Sequence, residues 1–223
     1  MKIKTLICLF FFFIVQAYAQ TEESGIDSLT NDDEGVLVIP LLNEQFKVGI
    51  KFGTGTTMML GEELQNPRLS YMVSGGAYLR YRFAKHLSLQ PELNISFRGS
   101  NFANGNNQYS KIVMYYIDVP VLFMYGLNEK NTANVLAGMQ YCRLLNSSLY
   151  LTNEPTPVSL APKFKNNDLM AVLGAQFHTP FIGFQLAAKY GLINLNNGLL
   201  PNLNPANTGK DIHQFVVELN VLF

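Results

Sequence analysis

From Phe46 onward, apolar and polar residues alternate at every second position. In LSLQPELNISFR, Leu87, Leu89, Leu93, Ile95 and Phe97 share one face, while Ser88, Gln90, Glu92, Asn94, Ser96 and Arg98 share the other. That is the period of a β-strand with two unlike sides, and helical spacing does not fit it. SYMVSGGAYLRYRF sets Val73, Ala77, Leu79, Tyr81 and Phe83 against Ser74, Gly76, Tyr78, Arg80 and Arg82. The last stretch sets Phe215, Val217, Leu219, Val221 and Phe223 against Gln214, Glu218 and Asn220. Extended along the chain, the pattern predicts eight strands: Phe46–Met59, Ser70–Phe83, Leu87–Arg98, Lys111–Gly126, Ala133–Leu145, Asp168–His178, Ile182–Asn194 and Asp211–Phe223.

The connections sharpen this. LGEELQNPRL is long and AKH short; GSNFANGNNQYS is long and LNEKNT short; the long NSSLYLTNEPTPVSLAPKFKNN is followed by TPF, and TPF by the long INLNNGLLPNLNPANTGK. Strict alternation is the rhythm of an up-and-down meander whose two rims face different surroundings. An even strand count returns both ends to one rim. The expected fold is all-β: an eight-stranded antiparallel up-and-down transmembrane β-barrel over residues 46–223.

A soluble calyx would show the same alternation, so the size of the side chains must decide which face is outside. Eight strands enclose a lumen only wide enough for side chains or one small ligand. One face carries Gly49, Gly53, Gly55, Gly76, Gly138, Gly174, Gly183 and Gly191. The other carries Phe52, Phe83, Phe97, Phe123, Phe177, Phe184 and several tyrosines, Tyr190 among them. So many rings do not fit inside one narrow barrel; they are expected to face lipid. The lumen then receives Lys47, Lys51, Arg80, Arg82, Glu92, Arg98, Asp118, Lys189 and Glu218. Pairing across AKH brings Arg80 beside Glu92, with Asp118 one strand further on. Closure of first strand on last sets Lys51 and Glu218 at similar heights. The expectation is an ion network of Arg80, Arg82, Glu92 and Asp118 with a Lys51–Glu218 pair at the seam, serving as structural filling rather than as a conduit.

YYIDVPVLFMYG, from Tyr115 to Gly126, carries Pro120 inside an otherwise strand-like run, and Pro91 lies on the neighbouring strand. Proline cannot donate to a ladder, and a closed barrel has no free edge to house it. A local irregularity between the third and fourth strands is expected, close to Glu92 and Asp118.

The residues before Phe46 change the address but not the fold. MKIK, then LICLFFFFIV, then QAYAQ with Ala17 and Ala19, reads as a secretory signal peptide over residues 1–19. Its removal takes away Lys2 and Lys4 and moves the formal charge from zero to −2. Cys8 would leave with it, so Cys142 would have no partner for an internal disulfide. Residues 20–45 follow as an N-terminal periplasmic arm. Its first part, TEESGIDSLTNDDEG, is acidic and without period; VLVIPLL reads either as a lead-in to the first strand or as a short packing segment. No basic run suggests nucleic acid.

YYIDVPVLFMYG, VLAGMQYCRLL, KNNDLMAVLGAQF and KYGLINL together resemble the PorT-like outer-membrane β-barrel family of Bacteroidota. The matching positions include Asp118, Pro120, Tyr190 and Gly191. The resemblance implies a non-enzymatic barrel in the outer membrane, termini in the periplasm and long loops outside. It implies outer-membrane lipid as surroundings, a role as membrane anchor or assembly component, and a partner in the type IX secretion apparatus or at the cell surface. It brings no catalytic residues and no cofactor. The alternating strand that closes on Phe223 resembles the signal read by the outer-membrane assembly machinery.

Candidate chemistry is sparse. His86, His178 and His213 show no zinc-ligand spacing. Asp211-Ile-His213 resembles the Asp-x-His pair of omptin-type proteases, with Asp168 as the one aspartate that could join it; the required context is missing, and no enzyme activity is expected. Cys142 reads as a small wall or lumen residue. Two non-enzymatic alternatives remain open: a surface binding module using the long loops, and a narrow pore.

Overall fold

The computed structural model describes residues 45–61, 67–103, 109–151, 158–159, 164–179, 181–196 and 211–223. Its strands are β1 (Phe46–Gly61), β2 (Ser70–Arg82), β3 (Leu87–Ala103), β4 (Tyr109–Gly126), β5 (Ala133–Leu151), the two-residue β6 (Val158–Ser159), β7 (Asn167–His178), β8 (Gly183–Gly191) and β9 (Ile212–Leu222). Each long strand pairs with its sequence neighbours, and β9 returns to pair antiparallel with β1, so eight strands close a barrel. The seam runs from Lys51↔Leu222 to Gly61↔Ile212, and reciprocal backbone bonds between Ile50 and Phe223 extend it. β6 pairs only with β5, at Ser148 and Leu149.

All eight expected strands are present, and their bounds differ for local reasons. β5 runs past Leu145 because a bulge shifts the register there: Tyr116 pairs with Leu144 but Tyr115 with Asn146. Leu145 and Asn146 consequently both face outward before Ser147 turns in. A period-two reading ends at that double step although the strand continues. β8 ends early, at Gly191, because the Asn194 side chain folds the chain back. Its Oδ1 accepts from the backbone N–H groups of Asn196 and Ile212, at 2.9 and 3.0 Å.

The prolines open the ladder without shifting it. β3 and β4 pair at Pro91↔Val121 and again at Asn94↔Asp118, in one register; Glu92–Leu93 and Val119–Pro120 between them are unpaired. A second gap lies between β2 and β3, where pairing stops at Tyr81↔Leu89 and resumes at Tyr78↔Glu92. It faces Pro91. Each proline thus leaves one two-residue gap, toward β2 for Pro91 and toward β3 for Pro120, where its missing N–H would have pointed. On the β5 side Pro120 stays paired, opposite Gln140.

The two faces sort as their side chains require. Phe52, Phe97, Phe123, Tyr125, Phe177, Phe184 and Tyr190 lie exposed on the outer wall. Lys51, Gln90, Glu92, Arg98, Asp118, Gln185, Gln214, Glu218 and Asn220 point inward and are buried. An apolar exterior around a polar interior inverts the arrangement of a water-soluble protein, and it suits a wall set in lipid. Two glycines mark where lumen side chains crowd the wall: a Cβ at Gly53 would run into Asn220, Ser74 and Glu218, and one at Gly76 into Asn94.

Candidate functional site

Among the described residues, the buried charged and polar side chains gather in the barrel interior. Three buried ion pairs cross it. Lys51 Nζ lies 2.6 Å from Glu92 Oε2, Arg98 pairs with Asp118, and Lys189 pairs with Glu218. Neutral groups reinforce each pair, although Asp118 Oδ1 is left without a hydrogen-bond partner. Glu92 accepts from Gln90 Nε2 at 2.7 Å and from Asn94 Nδ2 at 3.0 Å. Asp118 accepts from Ser96 Oγ at 2.6 Å, and Glu218 accepts from Ser74 Oγ. Charges held out of water persist when opposite charge and hydrogen bonds surround them, as here.

Arg98 is the hub. Its Nη1 donates to Gln214 Oε1 at 2.8 Å and lies 3.3 Å from Met170 Sδ, while its guanidinium stands 4.6 Å from the centre of the Tyr116 ring. These contacts join β3 to β4, β7 and β9 through the lumen. Arg98 is barely 1% exposed, and Gln90, Glu92, Gln140, Gln214 and Asn220 are wholly inaccessible to solvent. Side chains fill the middle of the barrel.

The charged residues expected in the lumen are there, with different partners. Arg80 bonds to Gln90 Oε1 through Nε and Nη2, at 2.9 and 2.7 Å, and to Gln176 Oε1 at 2.9 Å, rather than to Glu92 or Asp118. Arg82 is half-buried beside the short turns, and among the described residues no carboxylate pairs with it. Nor do Lys51 and Glu218 pair with each other. In the seam Lys51 stands opposite Leu222 and Glu218 opposite Gly55, four residues apart, or about 13 Å along the strand at ~3.3 Å per residue. Counting residues from a rim treats the strands as upright. In a barrel they tilt by roughly 35–45°, so side chains at one height come from shifted ladder positions. Arg98 and Lys189 lay on the predicted polar face; only the tilt shows that they take Asp118 and Glu218 as partners.

Toward the long loops the lumen turns apolar. Met59, Met72, Ile112, Met114, Met170, Ile212 and Val216 pack with Tyr116, Cys142 and Leu144, and Phe164 and Leu195 from the connecting segments join them. This plug escaped the sequence reading because both faces of KIVMYYI are apolar, leaving no polar face to mark the inside. Cys142, expected as a small wall or lumen residue, is buried in that cluster.

The protease-like constellation does not assemble. His213 lies on the outer face, between inward Ile212 and Gln214, stacked on Tyr190 with centroids 5.6 Å apart and its Nδ1 2.9 Å from the Gly191 carbonyl oxygen. Asp168 faces inward and is fully buried, and Asp211 accepts from the Asn194 amide at 2.5 Å. Among the described residues no group of three His, Cys, Asp or Glu is arranged to hold a metal ion. The residues expected to form a signal peptide and an acidic arm, VLVIPLL, and most of the long-loop residues expected to dock a partner lie outside the described residues.

Comparison with known proteins meets this geometry. The chain matches the outer membrane protein beta-barrel domain family over residues 18–197. Comparison with curated proteins finds no match. Among solved structures it is similar to Neisserial surface protein A, with a TM-score of 0.50 and 9% identity, over 80% of this chain and 98% of that one. The attachment invasion locus protein Ail of Yersinia pestis follows with a TM-score of 0.41 and 14% identity, over 81% of this chain and 100% of that one. OprG of Pseudomonas aeruginosa shows 0.40 and 11%, over 80% and 95%. At such identities the likeness concerns the fold alone. The closed eight-stranded wall, its apolar exterior and the family match lead to one assignment: this chain belongs to the outer membrane protein beta-barrel domain family and is an outer-membrane β-barrel protein.

Proposed function

We propose that this outer-membrane barrel is a non-enzymatic membrane anchor or assembly component of the PorT-like kind, serving protein secretion, with its termini in the periplasm and its long loops outside. The observation that carries the reading is the packed cross-section. Where Arg98, Asp118, Lys51, Glu92, Lys189 and Glu218 meet, solvent reaches almost none of their surface. Such a barrel offers a rigid wall and two rims, not a passage. The orientation rests on the short turns sharing a rim with the paired ends of β1 and β9, as outer-membrane barrels with short periplasmic turns do. The secretion role rests on the YYIDVPVLFMYG pattern, in which Asp118 and Pro120 both turn inward. Phe223, bonded to Ile50 at the seam, fits a residue handled by the assembly machinery.

Two measurements test it. In planar bilayers the purified barrel should give no steady conductance; a sustained open level would favour the narrow pore. Deleting the gene should lower secreted and surface-delivered protein in culture. Normal secretion in the deletion strain would remove the assembly role and leave the surface binding module.

A further inference from the structure

At the short-turn end, the lumen holds cations that, among the described residues, make no ion pair with any carboxylate. Glu92, Asp118 and Glu218 are engaged by Lys51, Arg98 and Lys189. Asp168 is tied to the backbone N–H of Leu169 at 2.7 Å, at the opposite end of β7 from His178. Lys47, Arg80 and Arg82 remain, and among the described residues none has a carboxylate within ion-pair distance. They are close together: Arg80 and Arg82 are successive inward positions of β2, and Gly49 lies against the Tyr78 side chain, which sets Lys47 and Arg80, the next inward positions toward the rim, side by side.

The neutral groups around these cations are also short of acceptors. Arg80 spans the lumen from β2 to β7 and spends Nε and Nη2 on the oxygens of Gln90 and Gln176. That contact fixes the Gln176 amide with its oxygen on Arg80 and its nitrogen turned away. Gln176 is 2% exposed, and its Nε2 has no partner; neither has the buried Nε of Arg82. Like charges concentrated in a part-dry mouth repel one another, and unspent donors in the same place are costly. One guest would relieve both: an anion with several oxygens. A planar guanidinium suits two oxygens of such a group, and an ammonium or amide a third.

We propose that the short-turn mouth of the barrel binds a phosphate-class oxyanion, gripped by Lys47, Arg80 and Arg82 with the Gln176 amide as neutral donor. The group arrives as the free ion or as the phosphate of an ester such as a lipid headgroup. The site involves no residue of the long loops and stands whether or not the barrel serves secretion.

The test uses the full mature chain folded in an alkyl maltoside, which carries no phosphate of its own. Calorimetric titration with inorganic phosphate, and separately with glycerol phosphate, should show saturable single-site binding. Binding of both identifies the free ion as sufficient; binding of the ester alone assigns the site to a headgroup. Arg82→Gln should weaken binding about tenfold or more, the scale of a lost charge-assisted hydrogen bond. Arg82 is preferred to Arg80, which ties two opposite walls; Lys47→Gln provides the second variant. Folding of each variant is checked by heat-modifiable mobility in electrophoresis. Lys85→Gln, whose exposed side chain pairs with Glu129 on the turns, should leave the affinity unchanged. Absence of saturable binding by either anion, or unchanged affinity in both Arg82→Gln and Lys47→Gln, would overturn the site.

Discussion

Toward the long loops, Met59, Met72, Met114 and Met170 fill the lumen with Ile112, Ile212 and Val216, and Phe164 and Leu195 complete that cluster. A few residues along the same strands, the lumen is held by Lys51–Glu92, Arg98–Asp118 and Lys189–Glu218, with glutamines and asparagines between them. Both regions exclude solvent. The methionine region does so chiefly by packing, with flexible thioethers filling irregular space. The charged region must satisfy each group individually, because an unpaired charge there has neither water nor a mobile partner to turn to. One end should therefore tolerate changes that conserve volume, and the other should punish any change that splits a pair.

The sharpest test of that contrast is Asp118→Ala. It strands the Arg98 guanidinium in the middle of the barrel, with Gln214, Ser96, two sulfur atoms and the face of the Tyr116 ring beside it. Breaking a buried pair from one side typically costs about 3–5 kcal/mol. Urea unfolding of the detergent-folded protein should show a loss of that order. Replacing both partners, Arg98→Met with Asp118→Ala, should recover most of it; a double variant as unstable as the single one would show that the pair itself, not the orphaned charge, was being measured.

In the apolar plug the prediction reverses. Met114 is fully buried, its sulfur 3.3 Å from the Tyr116 hydroxyl. Met114→Ala leaves a cavity and should cost about 2–4 kcal/mol. Met114→Leu keeps the volume and should cost less than about 1.5 kcal/mol. If the leucine variant proved as damaging as the alanine one, the plug would owe its stability to the thioether contact, and the contrast between the two regions would blur.

How much of this was legible beforehand follows the same division. Period two located every barrel strand, because each wall residue must choose lipid or lumen, and Leu87 to Arg98 show that choice without ambiguity. The identity of the inward charges was legible for the same reason. Their partners were not: Lys51 meets Glu92 two strands away, and Arg80 meets Gln176 across the full width of the lumen. Those contacts depend on tilt and stagger, which leave no mark on local alternation. The plug was hidden at KIVMYYI, where inward Ile112, Met114 and Tyr116 are as apolar as outward Val113, Tyr115 and Ile117. The proline gaps were half legible: that the ladder must yield is dictated by the residue type, but that it yields in register, on one side of each proline, is set by which way the missing N–H faces.

The smallest effects belong to the short-turn rim, where water competes. Lys85 and Glu129 approach to 3.6 Å but are 69% and 88% exposed. The turns that carry them are already joined, since the Asn131 side chain donates to the Lys85 carbonyl at 2.8 Å and the Gly126 N–H to that of His86 at 2.8 Å. An exposed pair on a preformed contact adds little, and Lys85→Ala should change stability by less than about 1 kcal/mol, shrinking further in high salt. Asn131→Ala should cost more despite touching no charge. Asn131 has φ of 49°, a left-handed conformation that costs an ordinary residue about 1–2 kcal/mol, and its amide is the clasp between the turns. Measured side by side by urea unfolding, the two variants rank the rim's sources of order. A larger loss for Lys85→Ala than for Asn131→Ala would mean that charge, rather than backbone geometry, holds the short turns together.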